Sequence, residues 1–411
     1  MLLQGILLAL LSAALSMTLY PSVRRFAVRH GIVDNPDARK LQRVPVPVLG
    51  GFAVFCGFYG ALVFLLALHG TDRMLVGLVS MTIMMCIGIW DDVKGLPALF
   101  RFVFEIGLVA AMMYLGRFYI NDFHGVLGIG RLPLWFGVPL SIIAGVGIIN
   151  AINLIDGVDG YCSGYGIASC LTFAGLLIRA EAWVPAGCLL ILAGALVPFF
   201  LHNVFGRRSK MFIGDGGSLM LGTAMTIAVF YILDADSPCA PLADEGLGLL
   251  AFTLAVLAIP VFDTLRVMIR RIMKGRSPFS PDKTHLHHLF IEMGFSHVGT
   301  SLIIILINLL VTFLWWVSYK LGASVTFQFF FVIAQGLLVT TAYYAFVKVQ
   351  QRRGTRYYAW MCRLGAQSHQ FMLKPWKAMR RLVDKPFGMR RHARFRRAVK
   401  KVLKKIWGGE R

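Results

Sequence analysis

Long unbroken apolar stretches alternate along the chain with short polar connections. About eleven stretches are long enough to cross a hydrocarbon core as helices: 2–20, 49–68, 73–90, 98–116, 133–151, 160–178, 182–201, 215–233, 246–265, 300–319 and 323–347. The pattern predicts an all-α, polytopic integral membrane protein. The first stretch lacks a basic leader and its basic residues follow it, so it reads as a retained helix rather than a signal peptide.

Composition agrees with that pattern. Only 15% of the 411 residues are charged, against about 25% in an ordinary soluble domain. Of the seven cysteines, five fall in expected spans, Cys239 in a loop and Cys362 in the tail, with no CxxC pair. That distribution excludes a disulfide framework and a cysteine-based metal site.

Charge sets the expected orientation. With the N-terminus outside, the inner loops and tail hold 37 of the 42 Lys and Arg residues. Only Arg73, Arg117, Arg131, Arg179 and Lys320 lie outside. The positive-inside rule then predicts a periplasmic N-terminus and a cytoplasmic C-terminus. The outer connections look bland, and the acidic stretch from Asp234 to Glu245 reads as a solvated linker.

The inner connections differ. They carry Asp91-Asp92, then Asn150, Asn153, Asp156 and Asp159, then Asp215, and finally Asp263 with His285, His287 and His288. Ionisable groups so close to hydrocarbon are costly unless paired, which marks them as candidate functional residues. Asp91-Asp92 alone could be a solvated helix end. The Asn150-to-Asp159 ladder recurs every three residues, so successive members step about 60° around a helix and share a broad face. Gly157 and Gly160 should break that helix and place Asp159 on the following turn. Gly214-Asp215-Gly216-Gly217 alone reads as a turn, because it lacks the lysine of a phosphate-binding loop.

His285, His287 and His288 follow Pro278 and Pro281 at a spacing that fits no usual zinc pattern. Phosphate binding beside Arg266, Arg270, Arg271, Lys274, Arg276 and Lys283 fits better. Several carboxylates at one site repel one another and call for a divalent cation, with oxygen ligands selecting Mg²⁺ or Mn²⁺. Cationic loops beside such a cation are equipment for phosphoryl transfer. At a membrane interface, that chemistry points to a lipid phosphate and a soluble nucleotide. A transporter is the rival class, but transporters gather polar groups near the bilayer midplane, often in repeated halves. These acids sit at helix ends, and no internal repeat is visible.

Six segments carry a family resemblance: RKLQRVPVPVLGG (39–51), GIWDDVKG (88–95), NAINLIDGVDG (150–160), FIGDGGS (212–218), PVFDT (260–264) and SPFSPDKTHLHH (277–288). Over residues 1–348 the chain resembles the polyprenyl-phosphate N-acetylhexosamine-1-phosphate transferases, most of all the bacterial undecaprenyl-phosphate N-acetylglucosamine-1-phosphate branch. The resemblance implies a Mg²⁺-dependent reaction of UDP-N-acetylglucosamine with undecaprenyl phosphate, releasing UMP and starting O-antigen or a related envelope glycan. It implies a multi-pass protein of the bacterial inner membrane with a cytoplasmic active site. Another UDP-N-acetylhexosamine or the muramoyl-pentapeptide nucleotide stays open as donor, and a homodimer stays open as assembly.

By the same resemblance, Asp91 and Asp92 lie near the lipid phosphate, one of them as base or nucleophile. Asp215 matches a metal ligand, Asp92 and Asp156 join it, and Asn153, Asp156 and Asp159 match the nucleotide and metal region. Lys40 matches a basic residue near the nucleotide, His285, His287 and His288 a motif at the diphosphate, and Arg271 a residue at the sugar or its phosphate. Glu105 stands where the family often has glutamine, and an Arg101–Glu105 pair four residues apart would explain it. Direct attack by the lipid phosphate is favoured over an aspartyl intermediate, since a phosphate monoester with a second pKa of about 6 has little proton to lose.

The tail, 349–411, stands apart. From Lys348 onward there are 20 basic and two acidic residues. Its end, RRHARFRRAVKKVLKKIWGG, spaces apolar residues as an amphipathic helix for an anionic lipid surface. Nothing in it supports nucleic-acid binding beyond charge. Deleting 385–411 is expected to leave turnover largely intact.

Overall fold

The computed structural model describes residues 1–35, 44–70, 74–278, 284–369 and 373–387. Lys40 and the whole of the expected amphipathic helix lie outside those residues. Helices α1 (Leu2–His30), α2 (Gly50–His69), α3 (Met74–Lys94), α4 (Ala98–Gly116), α5 (Leu134–Leu154), α6 (Tyr161–Arg179), α7 (Trp183–Phe205) and α8 (Gly214–Ile232) come first. After them come α9 (Pro241–Asp244), α10 (Leu249–Val256), α11 (Ala258–Met273), α12 (Leu286–Glu292) and α13 (His297–Lys320). Helix α14 (Val325–Leu337) continues through a π turn (Leu338–Tyr343) into α15 (Tyr344–Arg353), followed by α16 (Arg356–Ser368) and α17 (Leu373–Asp384). Strands β1 (Val33–Asp34) and β2 (Val46–Pro47) form one short antiparallel pair, Val33 facing Pro47.

Among the described residues, ten helices are long and apolar enough to span a membrane, and α10 with α11 makes an eleventh if a bent pair counts as one span. The expected all-α, multi-span architecture holds. The expected straight span at 246–265 does not, because α10 and α11 meet at 74°. Pro260 supplies no N–H for the Val256 carbonyl, so the helical ladder fails there. Side chains from other helices replace the lost bonds. Asn308 of α13 accepts from the Ile259 N–H at 3.0 Å and donates to the Val256 carbonyl at 2.9 Å. The Tyr165 hydroxyl of α6 also donates to Val256. A break inside a bilayer is stable only when its freed backbone groups are answered this way.

Helix α8 is the axis of the bundle, with 89% of its apolar window buried. Its first turn takes α3 at very short range. A Cβ on Gly88 would stand 2.4 Å from the Gly216 Cα, so only glycine lets these backbones meet. This contact brings the end of α3, with Asp91 and Asp92, against Asp215.

The Asp234–Glu245 stretch is more ordered than a solvated linker. Asp234 accepts from Asn121 at 2.8 Å, Asp236 pairs with Arg131 at 2.6 Å, and Glu245 pairs with Arg179. These contacts tie the connections at the end of the bundle opposite the carboxylate cluster. All seven cysteines are free.

Candidate functional site

Ends of α3, α4, α5, α8, α11, α12 and α13 meet at one end of the bundle. Asp91 and Asp92 are neighbours in the chain but face different partners. Asp91 accepts from the Leu96 N–H at 2.6 Å and from Arg101 at 3.3 Å. Asp92 points to α8, taking the N–H of Asp215 at 3.0 Å and of Gly216 at 3.3 Å. A carboxylate at a helix N-terminus satisfies orphan donors and meets the positive end of the helix dipole.

Asp215, in the first turn of α8, accepts from Asn153 at 2.7 Å, and Asn153 also donates to Ser218 at 2.9 Å. Asn153 therefore latches the end of α5 to α8. Asn150, one turn earlier, donates to Glu105, and Glu105 pairs with Arg101 at 3.5 Å. The expected Arg101–Glu105 pair is present, and it extends to Asp91 on one side and Asn150 on the other.

Helix α5 ends at Leu154, and the loop before α6 carries Asp156 and Asp159. Burial pushes the Asp156 carboxyl well above the ordinary carboxylate range, reinforced by negative Asp215, Asp92 and Asp159. Burial also acts upward on Asp159, but His297 and Lys210 override it and hold that carboxyl below its ordinary value. Lys210 lies 2.5 Å from Asp159 and His297 lies 3.3 Å from it.

The histidine motif joins from the other side. Asp263 of α11 pairs with Arg266 at 2.6 Å and with His285 Nδ1 at 2.9 Å, and caps α12 by accepting the Leu286 N–H at 3.1 Å. With Nδ1 on Asp263, the His285 ring turns Nε2 the other way, and that buried nitrogen has no partner among the described residues. Such an orphaned atom in a polar cleft is suited to a ligand. His287 stacks parallel to His285 at 5.8 Å and sits against the acidic loop. A Cβ on Gly157 would come within 2.6 Å of His287 Nε2, so glycine is what joins the two halves. Burial, then His288 and His285, keep His287 well below the ordinary imidazole range. Arg266 stacks on the Tyr344 ring at 3.9 Å.

An apolar groove runs along the bundle into this site. It holds about 710 Å³ between α4, α5 and the α10–α11 bend, with walls such as Ile142, Val146, Leu250 and Leu254. At the site end it meets Arg101, Asn150 and Arg271. Arg271 donates to the Pro278 carbonyl at 2.5 Å, fixing the start of the histidine-bearing connection at the groove mouth.

The donor chemistry fits a hard divalent cation, because the charges of Asp215 and Asp92 add to the cost of ionising the buried Asp156 carboxyl beside them. Among the described residues no three His, Cys, Asp or Glu side chains already converge as ligands. Asp92 uses both oxygens on α8, leaving Asp156 and Asp215 better disposed than Asp92 to hold such an ion.

The structure thus gathers Asp91, Asp92, Asn153, Asp156, Asp159, Asp215, His285, His287 and His288, with Arg271 at the rim. Lys210 and His297 escaped the sequence reading as site residues. Lys210 lies five residues before Asp215 in the basic loop between α7 and α8, a faint signal, whereas His297 carried none.

Residues 74–233 match the family described as Glycosyl transferase family 4. The chain is 34% identical over 304 residues to the decaprenyl-phosphate N-acetylglucosaminephosphotransferase of Mycobacterium tuberculosis H37Rv, covering 69% of this chain and 75% of the relative. The protein of the same name from Mycolicibacterium smegmatis is 33% identical over 327 residues, covering 75% of this chain and 78% of the relative. The undecaprenyl-phosphate alpha-N-acetylglucosaminyl 1-phosphate transferase of Escherichia coli K12 is 30% identical over 281 residues, covering 66% and 72%.

Proposed function

From the premise that this chain belongs to the polyprenyl-phosphate N-acetylglucosamine-1-phosphate transferases, we propose that it moves N-acetylglucosamine-1-phosphate from UDP-N-acetylglucosamine to undecaprenyl phosphate, releasing UMP. The observation that carries this reading is the groove. An apolar channel about 710 Å³ in volume ends among Arg101, Asn150 and Arg271, beside buried carboxylates. A polyprenyl chain would lie along Val146 and Leu254 while its phosphate meets the arginines. The UDP-sugar would enter from the cytoplasmic side, with its diphosphate between the carboxylates and His285.

A lipid phosphate oxygen attacks the β-phosphorus, the bond to the UMP oxygen breaks, and the lipid-linked sugar diphosphate forms. Mg²⁺ or Mn²⁺ held by Asp215 and Asp156 would neutralise charge on the diphosphate. Arg101 and Arg271 orient the acceptor phosphate. Asp91 holds Arg101 in position, and direct attack requires no proton removal from a mostly dianionic acceptor. His285, fixed by Asp263 through Nδ1, would donate an Nε2–H to the donor diphosphate. Lys210 and His297 keep Asp159 ionised.

The product would begin a lipid-linked envelope glycan such as O-antigen at the inner membrane. The decisive assay is Mg²⁺-dependent UMP release from a panel of UDP-sugars with undecaprenyl phosphate. Release with UDP-N-acetylglucosamine alone is the expected result. Release only with another sugar replaces the donor, and release with none removes the reading.

A further inference from the structure

We propose that the C-terminal segment is part of the donor side of the site and that Asp384 is its positioning residue. The inference rests on the transferase reading above, and its origin is a contact 175 to 177 residues apart in sequence. Asp384, the last residue of α17, accepts three consecutive backbone N–H groups of the loop between α7 and α8. Arg207 donates at 3.2 Å, Arg208 at 3.0 Å and Ser209 at 2.9 Å. Successive N–H groups turned toward one anion form a nest, and charge-assisted bonds to a carboxylate are the strong kind.

The next residue is Lys210, whose ammonium holds Asp159 at 2.5 Å. The same loop is fastened from behind. Tyr20 donates to the Ser209 carbonyl at 2.9 Å, and Asn203 bridges the Met211 carbonyl at 3.0 Å and the Gly160 N–H at 2.7 Å. Without Asp384, three loop N–H groups lose their acceptor, and the lysine has one backbone tether fewer. Around Asp384 the segment is seated by contacts with α1 and α7. Phe387 lies under Arg24 at 5.3 Å and edges His202 at 5.9 Å, and Trp376 packs on Phe205 at 4.8 Å. Residues of the basic tail up to Phe387 therefore serve the site.

Steady-state kinetics and amide hydrogen exchange on the full chain in detergent test this. Asp384→Ala should raise the KM for UDP-sugar about tenfold while the KM for lipid acceptor stays put. Exchange at Arg207, Arg208 and Ser209 should accelerate. Asp384→Asn, whose amide oxygen still accepts from Arg208 and Ser209, should recover most of the donor affinity. Added to Lys210→Ala, the Asp384→Ala change should cost little more, because one residue acts through the other. A chain ending at Phe387 should behave as wild type, and one ending at Met372 as Asp384→Ala. Additive losses, or faster exchange with an unchanged donor KM, overturn the positioning role. Unchanged exchange overturns the contact. If the wild-type chain releases no UMP from any UDP-sugar, the reaction reading fails and so does the donor-site role, while exchange still decides whether Asp384 clamps the loop.

Discussion

The Asp92 carboxylate caps the first turn of α8 through the N–H groups of Asp215 and Gly216, at 3.0 and 3.3 Å. Its neighbour Asp91 turns instead to Arg101. Two adjacent carboxylates therefore do separate jobs. Asp92→Ala should destabilise the fold by about 1–2 kcal/mol, the cost of a lost cap. Asp91→Ala should lower stability less and raise the KM for the lipid acceptor by releasing Arg101. Thermal melts in detergent with acceptor kinetics check this, and equal losses of stability would contradict the division.

Gly147 lines the groove, and a Cβ there would meet open space. Gly147→Trp should fold normally yet fill the channel. The expected result is a lipid KM raised about tenfold or more, from lost apolar contact of ~25 cal/mol per Å², with an unchanged donor KM. Parallel titrations of both substrates measure it. A matching rise in donor KM would show that the groove is not the acceptor path.

Asn308 answers the backbone on both sides of the α10–α11 break. Asn308→Leu keeps the volume but leaves the Ile259 N–H without that acceptor. A loss of about 1–3 kcal/mol should follow, visible as a lower detergent melting temperature. Activity should fall too, since α11 carries Asp263 and Arg271. A variant as stable and active as wild type would mean the bend needs no clamp.

Stability should decline in mild acid. His287 is held neutral, with its folded value well below the ordinary 6.5. The unfolded chain therefore binds the extra proton first. The contribution is complete above about pH 6.5 and is lost as pH falls toward the lower folded value, at up to ~1.4 kcal/mol per pH unit. Melting temperatures between pH 7.5 and 5 should show the slope, and His287→Asn should flatten it. An unchanged slope in that variant would assign it to another group.

Chelation should abolish UMP release and Mg²⁺ should restore it, if Asp156 and Asp215 hold a hard cation. Asp215→Asn should then need far higher Mg²⁺ for half-maximal rate. Asp92→Asn should shift that requirement much less, because Asp92 is committed to the cap. Full activity in EDTA would refute the metal assignment.

The multi-span class was legible in sequence because hydrocarbon imposes it residue by residue: about 18 apolar positions in a row admit little else. The gathering of Asp91, Asp156, Asp215 and His285 was legible as well, since ionisable groups at span ends need a reason. Less was visible where a pairing joins residues distant in the chain. Nothing local to Lys210, His297 or Asp384 announces that the first two meet Asp159 or that the third holds the Lys210 loop.

By itself, then, the sequence determined the multi-span helical class and which residues crowd the ends of the spans, because burial in lipid is a per-residue cost. Only the tertiary structure decided what each carboxylate does. Asp91 and Asp92 look alike in the chain, yet the glycine contact of Gly88 with Gly216 brings α8 close enough for one to cap it and leaves the other to Arg101. The bend at Pro260 and the docking of α17 have the same origin. Each is fixed by hydrogen-bond partners that only packing brings within reach.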